Sequence, residues 1–268
     1  MRNILVTNDD GIHAPGLQAL ARSLDALGNV TVVAPERNWS AAGHPKTLHK
    51  PLRVQPVVWA DGRTTYACSG APPDCVALAL MGLVEGPFDL VVSGINSNYN
   101  LASDVIYSGT VAGAMEACIN GVPAIAVSIG PNLYGDPEVA AALDHASLIA
   151  AEVAENVLIH GLPEQTMLNV NIPWGSAHHF RGIEITRLGR RVYRDVLVQR
   201  DDPWGRPYYW IGGEVPTGIP DDGTDIGATE HGFVSVTPLG IDLTQHDLLG
   251  VLSGWHFSKE HYAVENNA

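Results

Sequence analysis

Apolar positions along this chain fall into two kinds of run. Ile4-Leu5-Val6, Val30 to Ala34, Leu90 to Val92 and Ala124 to Val127 are continuous, not alternating. Strands read this way when both faces are covered, as in a parallel sheet between helices. Between the first two runs, Gly16 to Leu27 repeats with a helical period. Leu17, Leu20, Ala21, Leu24 and Leu27 share one stripe, and Gly28 stands just past its end. A second helix is predicted from Thr110 to Asn120, closed by Gly121, and a third, rich in alanine, from about Pro137 to Ile159. The stretch Gly70 to Val76 reads as a turn in which Asp74 caps a helix running through Leu80. Strand and helix in alternation predict a doubly wound α/β fold with a mostly parallel sheet.

The pattern changes after Pro163. Leu168-Asn169-Val170-Asn171-Ile172 alternates, so one face of that strand is polar or closes over a site. Arg181 to Leu239 is rich in Gly, Pro, Tyr and Trp without a helical period, and Trp204 to Trp210 reads as strands and tight turns. Trp204, Tyr208, Tyr209 and Trp210 there suit either a β-arm in a subunit interface or a stacking surface for a nucleobase. Asp242 to Ala268 is polar with a short amphipathic stretch, a terminal helix or a tail. Residues 1–268 are read as a single domain, with a core over about 1–175 and a β-rich extension over about 176–268.

Composition narrows the partners. The 268 residues are 46% hydrophobic and 16% charged, with a formal net charge of −14, which opposes non-specific binding to nucleic-acid polymers or anionic membranes. A small anionic substrate remains compatible, because a bound cation reverses the local sign. Cys68, Cys75 and Cys118 are odd in number and lack a CxxC spacing, as expected of free thiols. The N-terminal apolar run is too short for a signal sequence, and no stretch approaches the ~20 apolar residues of a membrane span. The expectation is a cytoplasmic protein.

Candidate chemistry gathers where strands end. Thr7-Asn8-Asp9-Asp10-Gly11 follows the first strand, and Gly11 with Pro15-Gly16 implies that the strand has stopped, so both carboxylates can turn to one point. Two such carboxylates repel unless a cation lies between them, and hard oxygen donors suit Mg²⁺, Mn²⁺ or Ca²⁺ better than zinc. A solvated turn capping the next helix is the plainer reading. Ser93-Gly94-Ile95-Asn96-Ser97-Asn98-Tyr99-Asn100 also follows a strand, and reads as amide ligands or as a turn-forming loop. Ser108-Gly109-Thr110 opens a helix, an anion site or an ordinary N-cap. Ser40, in Pro35 to Gly43, is an oxygen ligand, a nucleophile or simply a loop serine. His44 and His49 lie in a loop, and His178-His179 would point apart on a strand. Walker A, GxGxxG, GxSxG, HExxH and Asp-x-Asp patterns are absent from the chain.

Taken in order, NDDGI, the serine loop, GAPPDCV and SGIN…SDVIYSGTVAGAMEA resemble the SurE family, the survival protein E phosphatases. The likeness extends through Leu168 to Pro173, Asp202 to Pro207 and Gly232 to Leu239. The resemblance implies a Rossmann-like core and a metal-dependent 5′/3′-nucleotidase acting on nucleoside monophosphates. It also implies a dimer or tetramer in which C-terminal elements are exchanged. One divalent cation, Mg²⁺ or Mn²⁺, would be held by Asp9, Asp10, Ser40 and Asn96, and phosphate by Asn96, Ser108, Gly109 and Thr110. Asp9 and Asp10 would carry catalysis, by in-line attack of water on phosphorus. The chain departs from the family pattern with Asn98 and Ala102 in place of two glycines and Ala71 in place of a threonine. A broader phosphohydrolase that includes short polyphosphate, or a non-catalytic nucleotide or metal sensor, are the alternatives.

Overall fold

The computed structural model describes residues 1–130, 138–174 and 180–257. The first two-thirds runs β1 (Arg2–Thr7), α1 (Pro15–Leu24), β2 (Gly28–Pro35), β3 (Val54–Val58), β4 (Thr64–Cys68), α2 (Pro72–Leu78), β5 (Leu90–Asn96), α3 (Gly109–Ile119), β6 (Ala124–Ile129), α4 (Val139–His160) and β7 (Thr166–Ile172). The remainder runs β8 (Ile183–Ile185), β9 (Arg190–Val192), β10 (Asp195–Asp201), β11 (Pro207–Gly213), β12 (Thr217–Ile219), α5 (Asp225–Glu230), β13 (Val234–Gly240) and α6 (His246–Ser253).

A nine-stranded sheet in the order β3-β4-β2-β1-β5-β6-β7-β13-β8 forms the frame. From β4 to β7 neighbouring strands are parallel, while β3 and β13 join antiparallel to β4 and β7. The continuous apolar runs have the predicted cause. On β1, Ile4 and Val6 pack into the layer built on α1 and α4, with Leu17, Leu20, Ala146 and Ala150. Leu5 points the other way, to Cys75, Val76, Val111 and Ala114 of α2 and α3. Each such fully buried aliphatic side chain contributes roughly 1.5–3 kcal/mol. Cys68, Cys75 and Cys118 are buried free thiols. None of the described helices is long and apolar enough to cross a membrane.

Several expected boundaries shift. The first helix stops at Leu24, and Leu27 instead bonds back to the Leu24 carbonyl. Asp74 is not the cap of α2 but its third residue. Ala71 holds the capping position, where it has no side-chain acceptor, and Asp74 Oδ2 accepts the Ala71 N–H at 3.0 Å instead. The helix ends at Leu78 and continues only as a wider turn over Ala79–Leu83. The stretch read as free of helix contains the short α5. The start of the third helix at Pro137 and the pair His178-His179 lie outside the described residues. The Trp204 to Trp210 segment forms the turn and second strand of the β10–β11 hairpin, with its aromatic rings exposed. Asp242 to Ala268 contributes α6, whose residues are all exposed or outside the described set.

The topology reverses at β1, which lies between β2 and β5, so a crevice opens past the carboxyl ends of β1 and β5. The chain between β5 and α3 crosses that crevice and is held from beneath by three asparagines. Asn100 receives Nδ2 bonds on its carbonyl from Asn169 (2.8 Å) and Asn171 (3.1 Å), gives its N–H to Asn171 Oδ1 (2.8 Å), and gives Nδ2 to Ser128 Oγ (2.7 Å). The alternating polar face of β7 thus fastens a loop. Two residues on, Ala102 takes a left-handed φ of 50°, whereas Asn98 does not. Of the two missing family glycines, only the one at 102 stands where an L side chain is strained. Ala102→Gly is accordingly expected to raise the unfolding free energy by about 1 kcal/mol, net of the entropy that glycine adds to the unfolded chain. Urea unfolding monitored by tryptophan fluorescence checks this, and an unchanged or lower midpoint would contradict it.

Candidate active site

Four loops meet at the crevice. Asn8 makes the first turn: its side chain accepts from the Gly11 N–H (3.2 Å) and donates to the Gly11 carbonyl (3.1 Å), ending the strand immediately. Asp9 and Asp10 consequently line the same cleft, of about 240 Å³, together with Ser40, Asn96, Asn98, Tyr99, Asp104, Tyr107 and Ser108.

Asp9 is almost fully enclosed, at 3% exposure. Its carboxylate accepts the Thr110 hydroxyl at 2.5 Å and the Thr110 backbone N–H, so the positive end of α3 serves this carboxylate directly. Burial nonetheless raises its pKa. Asp10 accepts from Asn38 Nδ2 (3.0 Å) and from the Ser97 N–H. Burial first, and the neighbouring Asp9 charge second, push Asp10 up to about 6. A Cβ on Gly109 would sit 2.8 Å from the Asp9 Cβ, so only glycine lets the helix start approach so closely.

The serine loop is tied down at both ends of its path. Trp39 N–H bonds the Asp9 carbonyl (2.8 Å), Gly43 N–H bonds the Tyr107 carbonyl (2.9 Å), and Ser40 N–H bonds Asn38 Oδ1 (2.7 Å). Farther along, Lys46 Nζ and His44 Nε2 lie 2.9 and 3.0 Å from the Glu116 carboxylate, and Thr47 bonds Asp74 through both N–H and hydroxyl. His44 is therefore turned to a buried helix carboxylate, and His49 is exposed. Asn96 donates Nδ2 to the Asn98 carbonyl (2.6 Å), which leaves Oδ1 as the end available to an electropositive ligand. Ser108 is the N-cap of α3, accepting from Val111 N–H (3.1 Å), and its hydroxyl proton is uncommitted by that bond. Tyr99 packs over Gly130 where any Cβ would clash with the ring, and burial pushes its phenol up to about 12.

The structure brings Asp9, Asp10, Ser40, Asn96 and Ser108 to one cleft, with Gly109 and Thr110 directly behind Asp9. The donor set fits a hard divalent cation: it is all oxygen, and two enclosed carboxylates raise each other's ionisation cost in a way a cation relieves. Thr110 has a second task, since its hydroxyl is spent on Asp9. The sequence alone does not mark Glu116 and Asp104 as site supports, whereas the alternation over Leu168 to Ile172 marks the Asn169–Asn171 face as polar or closing over a site, which is the face that holds Asn100. Glu116 is the one charged residue of α3, and its burial within that helix needs a partner.

Comparison with known proteins places the chain in a family. The family profile described as Survival protein SurE matches residues 4–195. The protein named 5′-nucleotidase SurE from Herpetosiphon aurantiacus is 53% identical over 251 residues, covering 94% of this chain and 97% of that one. Its namesake from Chloroflexus aggregans is 49% identical, covering 95% and 99%. The crystal structure of SurE protein from Aquifex aeolicus superposes with a TM-score of 0.79 at 38% identity, covering 94% of this chain and 98% of that one. With a family profile matching most of its length and relatives about half identical along nearly their whole length, the chain belongs to the survival protein SurE family.

Proposed function

We propose that this enzyme is a divalent-metal-dependent nucleotidase that hydrolyses nucleoside 5′-monophosphates, and 3′-monophosphates, to nucleoside and phosphate. The observation that carries it is the convergence of Asp9 and Asp10 with the start of α3 at the sheet's switch point. The names of the close relatives support the nucleotide substrate. Asp9, Asp10, Ser40 and Asn96 would hold Mg²⁺ or Mn²⁺, and the bound cation supplies charge to the phosphoryl oxygens and acidity to nearby water.

The chain's own groups do the rest. Ser108, through its hydroxyl, and Gly109, through its N–H, would hold phosphoryl oxygens, with the helix dipole behind them. Asp10 is the less enclosed carboxylate, with only Asn38 and the Ser97 N–H upon it, and accepts the proton of the attacking water. As the new P–O bond forms, the ester P–O bond opposite it breaks, and the leaving oxygen takes a proton from solvent. Self-association as a dimer or tetramer belongs to the same reading. Exposed Leu197, Tyr209, Trp210 and Ile211 on the hairpin and Leu249 and Leu252 on α6 support it. A cytoplasmic setting is likewise proposed, supported by the three free thiols.

The direct test is phosphate release from a panel of nucleoside monophosphates, simple monoesters and short polyphosphate, with Mg²⁺, Mn²⁺ or EDTA. Release from monophosphates with metal and none with EDTA is expected, and Asp9→Ala should lose at least about 10³-fold in kcat while remaining folded. No release from any substrate by folded wild type would favour a sensor, and full metal-dependent activity in Asp9→Ala would remove Asp9 from the site. Protons and metal should also compete. A carboxyl group whose folded pKa is raised binds its proton more tightly in the fold than in the unfolded chain, so Asp10's contribution to the stability of the metal-free protein is lost as pH rises from ~4 through about 6. Mn²⁺ affinity moves the other way, weakening by roughly tenfold per unit below about pH 6 for each proton displaced. Calorimetric Mn²⁺ titration between pH 5 and 8 reads this, and a flat profile would contradict it.

A further inference from the structure

The segment that delivers Ser108 has little of its own to hold it. It passes from left-handed Ala102 through one turn of 3₁₀ helix, Ala102–Ile106, with internal bonds from Asp104 N–H to the Leu101 carbonyl and from Tyr107 N–H to the Asp104 carbonyl. Turns of this kind are short-lived unless anchored from outside. The anchors come from the β-rich part of the chain. Tyr193 donates its hydroxyl to Asp104 Oδ1 at 2.6 Å and lies 3.1 Å from the Ser103 hydroxyl. Arg191 Nε lies 2.8 Å from Asp104 Oδ2, an ion pair whose N–H is not aligned on the oxygen, between side chains only 17% and 19% exposed. Asp225, wholly buried, accepts the Ala102 N–H and the Gly189 N–H, both at 2.7 Å, and so locks this turn to the chain two residues before Arg191.

We propose that Arg191 and Tyr193 are positioning residues for the phosphate cradle, acting through Asp104 to hold the turn that presents Ser108 and Gly109. The inference rests on the reading of Ser108 and Gly109 as phosphate donors. Electrostatics points the same way. Asp104 lines the cleft together with Asp9 and Asp10, so an unpaired carboxylate there would add a third negative charge to a site that must admit a phosphate. Arg191 cancels that charge at its source. Burial and the adjacent Asp104 carboxylate raise the Tyr193 phenol above its ordinary value, which keeps it protonated as the donor.

The test compares wild type, Tyr193→Phe, Arg191→Gln and Arg191→Lys as full chains. Hydrogen exchange of the metal-free proteins is expected to speed up about tenfold at the amides of residues 103–110 in Tyr193→Phe and Arg191→Gln, with α4 unchanged. With Mn²⁺ and a nucleoside monophosphate, kcat should fall about fivefold to tenfold, and competitive inhibition by inorganic phosphate should weaken by a similar factor. Half-saturation by Mn²⁺ should not weaken in either variant, because the unpaired Asp104 charge left by Arg191→Gln favours a cation, and Arg191→Lys should recover most of the loss. Wild-type protection at 103–110 in both variants would overturn the proposal. So would loss spread evenly over exchange, metal affinity and melting temperature, which is what a purely structural role produces. If wild type releases no phosphate from any nucleotide, the functional reading fails, and the exchange measurement still decides whether the clamp holds the turn.

Discussion

Two carboxylates that would rather be apart set the terms for this molecule. Asp9 and Asp10 stand side by side in a cleft that withholds most of their solvent, and the cost shows in both pKa values, one of them pushed to about 6. Relieving that repulsion by exposure would be easy at a strand end. Instead the fold turns Asn8 back onto Gly11, presses Gly109 against Asp9 and covers the pair with the serine loop. Structure that keeps like charges together is what the proposed cation and phosphate ligand would require.

The rest of the site reads as scaffolding for that pair, in layers of polar contacts. Beneath the cleft, Asn169 and Asn171 on β7 grip Asn100. On one side, Glu116 inside α3 gathers His44 and Lys46 of the loop that carries Ser40. On the other, Asp225, Arg191 and Tyr193 reach from the C-terminal third to the turn before Ser108. Each support comes from a different part of the chain. The C-terminal third therefore braces one side of the cleft from behind without lining it, and it also gives β13 and β8 to the main sheet.

What the sequence disclosed follows from the range of the interactions concerned. Continuous apolar runs at Ile4-Leu5-Val6 and Leu90 to Val92 report two-sided burial, and the turn residues after Thr7 report where a strand must stop. Both are local, and both were legible. The family motifs carried the candidate ligands. Partners were not legible: Asn100 meets Asn171 across 71 residues and Asp104 meets Tyr193 across 89, pairings that exist only once the sheet is assembled. Asp74 was misplaced as a cap for a related reason. Its carboxylate does cap the helix start, but from the third position, and it serves Thr47 of the serine loop at the same time.

A cation held by the aspartate pair is the central expectation, and anomalous diffraction from a crystal of this chain soaked in Mn²⁺ observes it without recourse to activity. The prediction is one strong peak about 2.2 Å from carboxylate oxygens of both Asp9 and Asp10, with Ser40 Oγ and Asn96 Oδ1 turned towards it. A well-diffracting soaked crystal with no peak at that position, or with its manganese bound away from both aspartates, would contradict it.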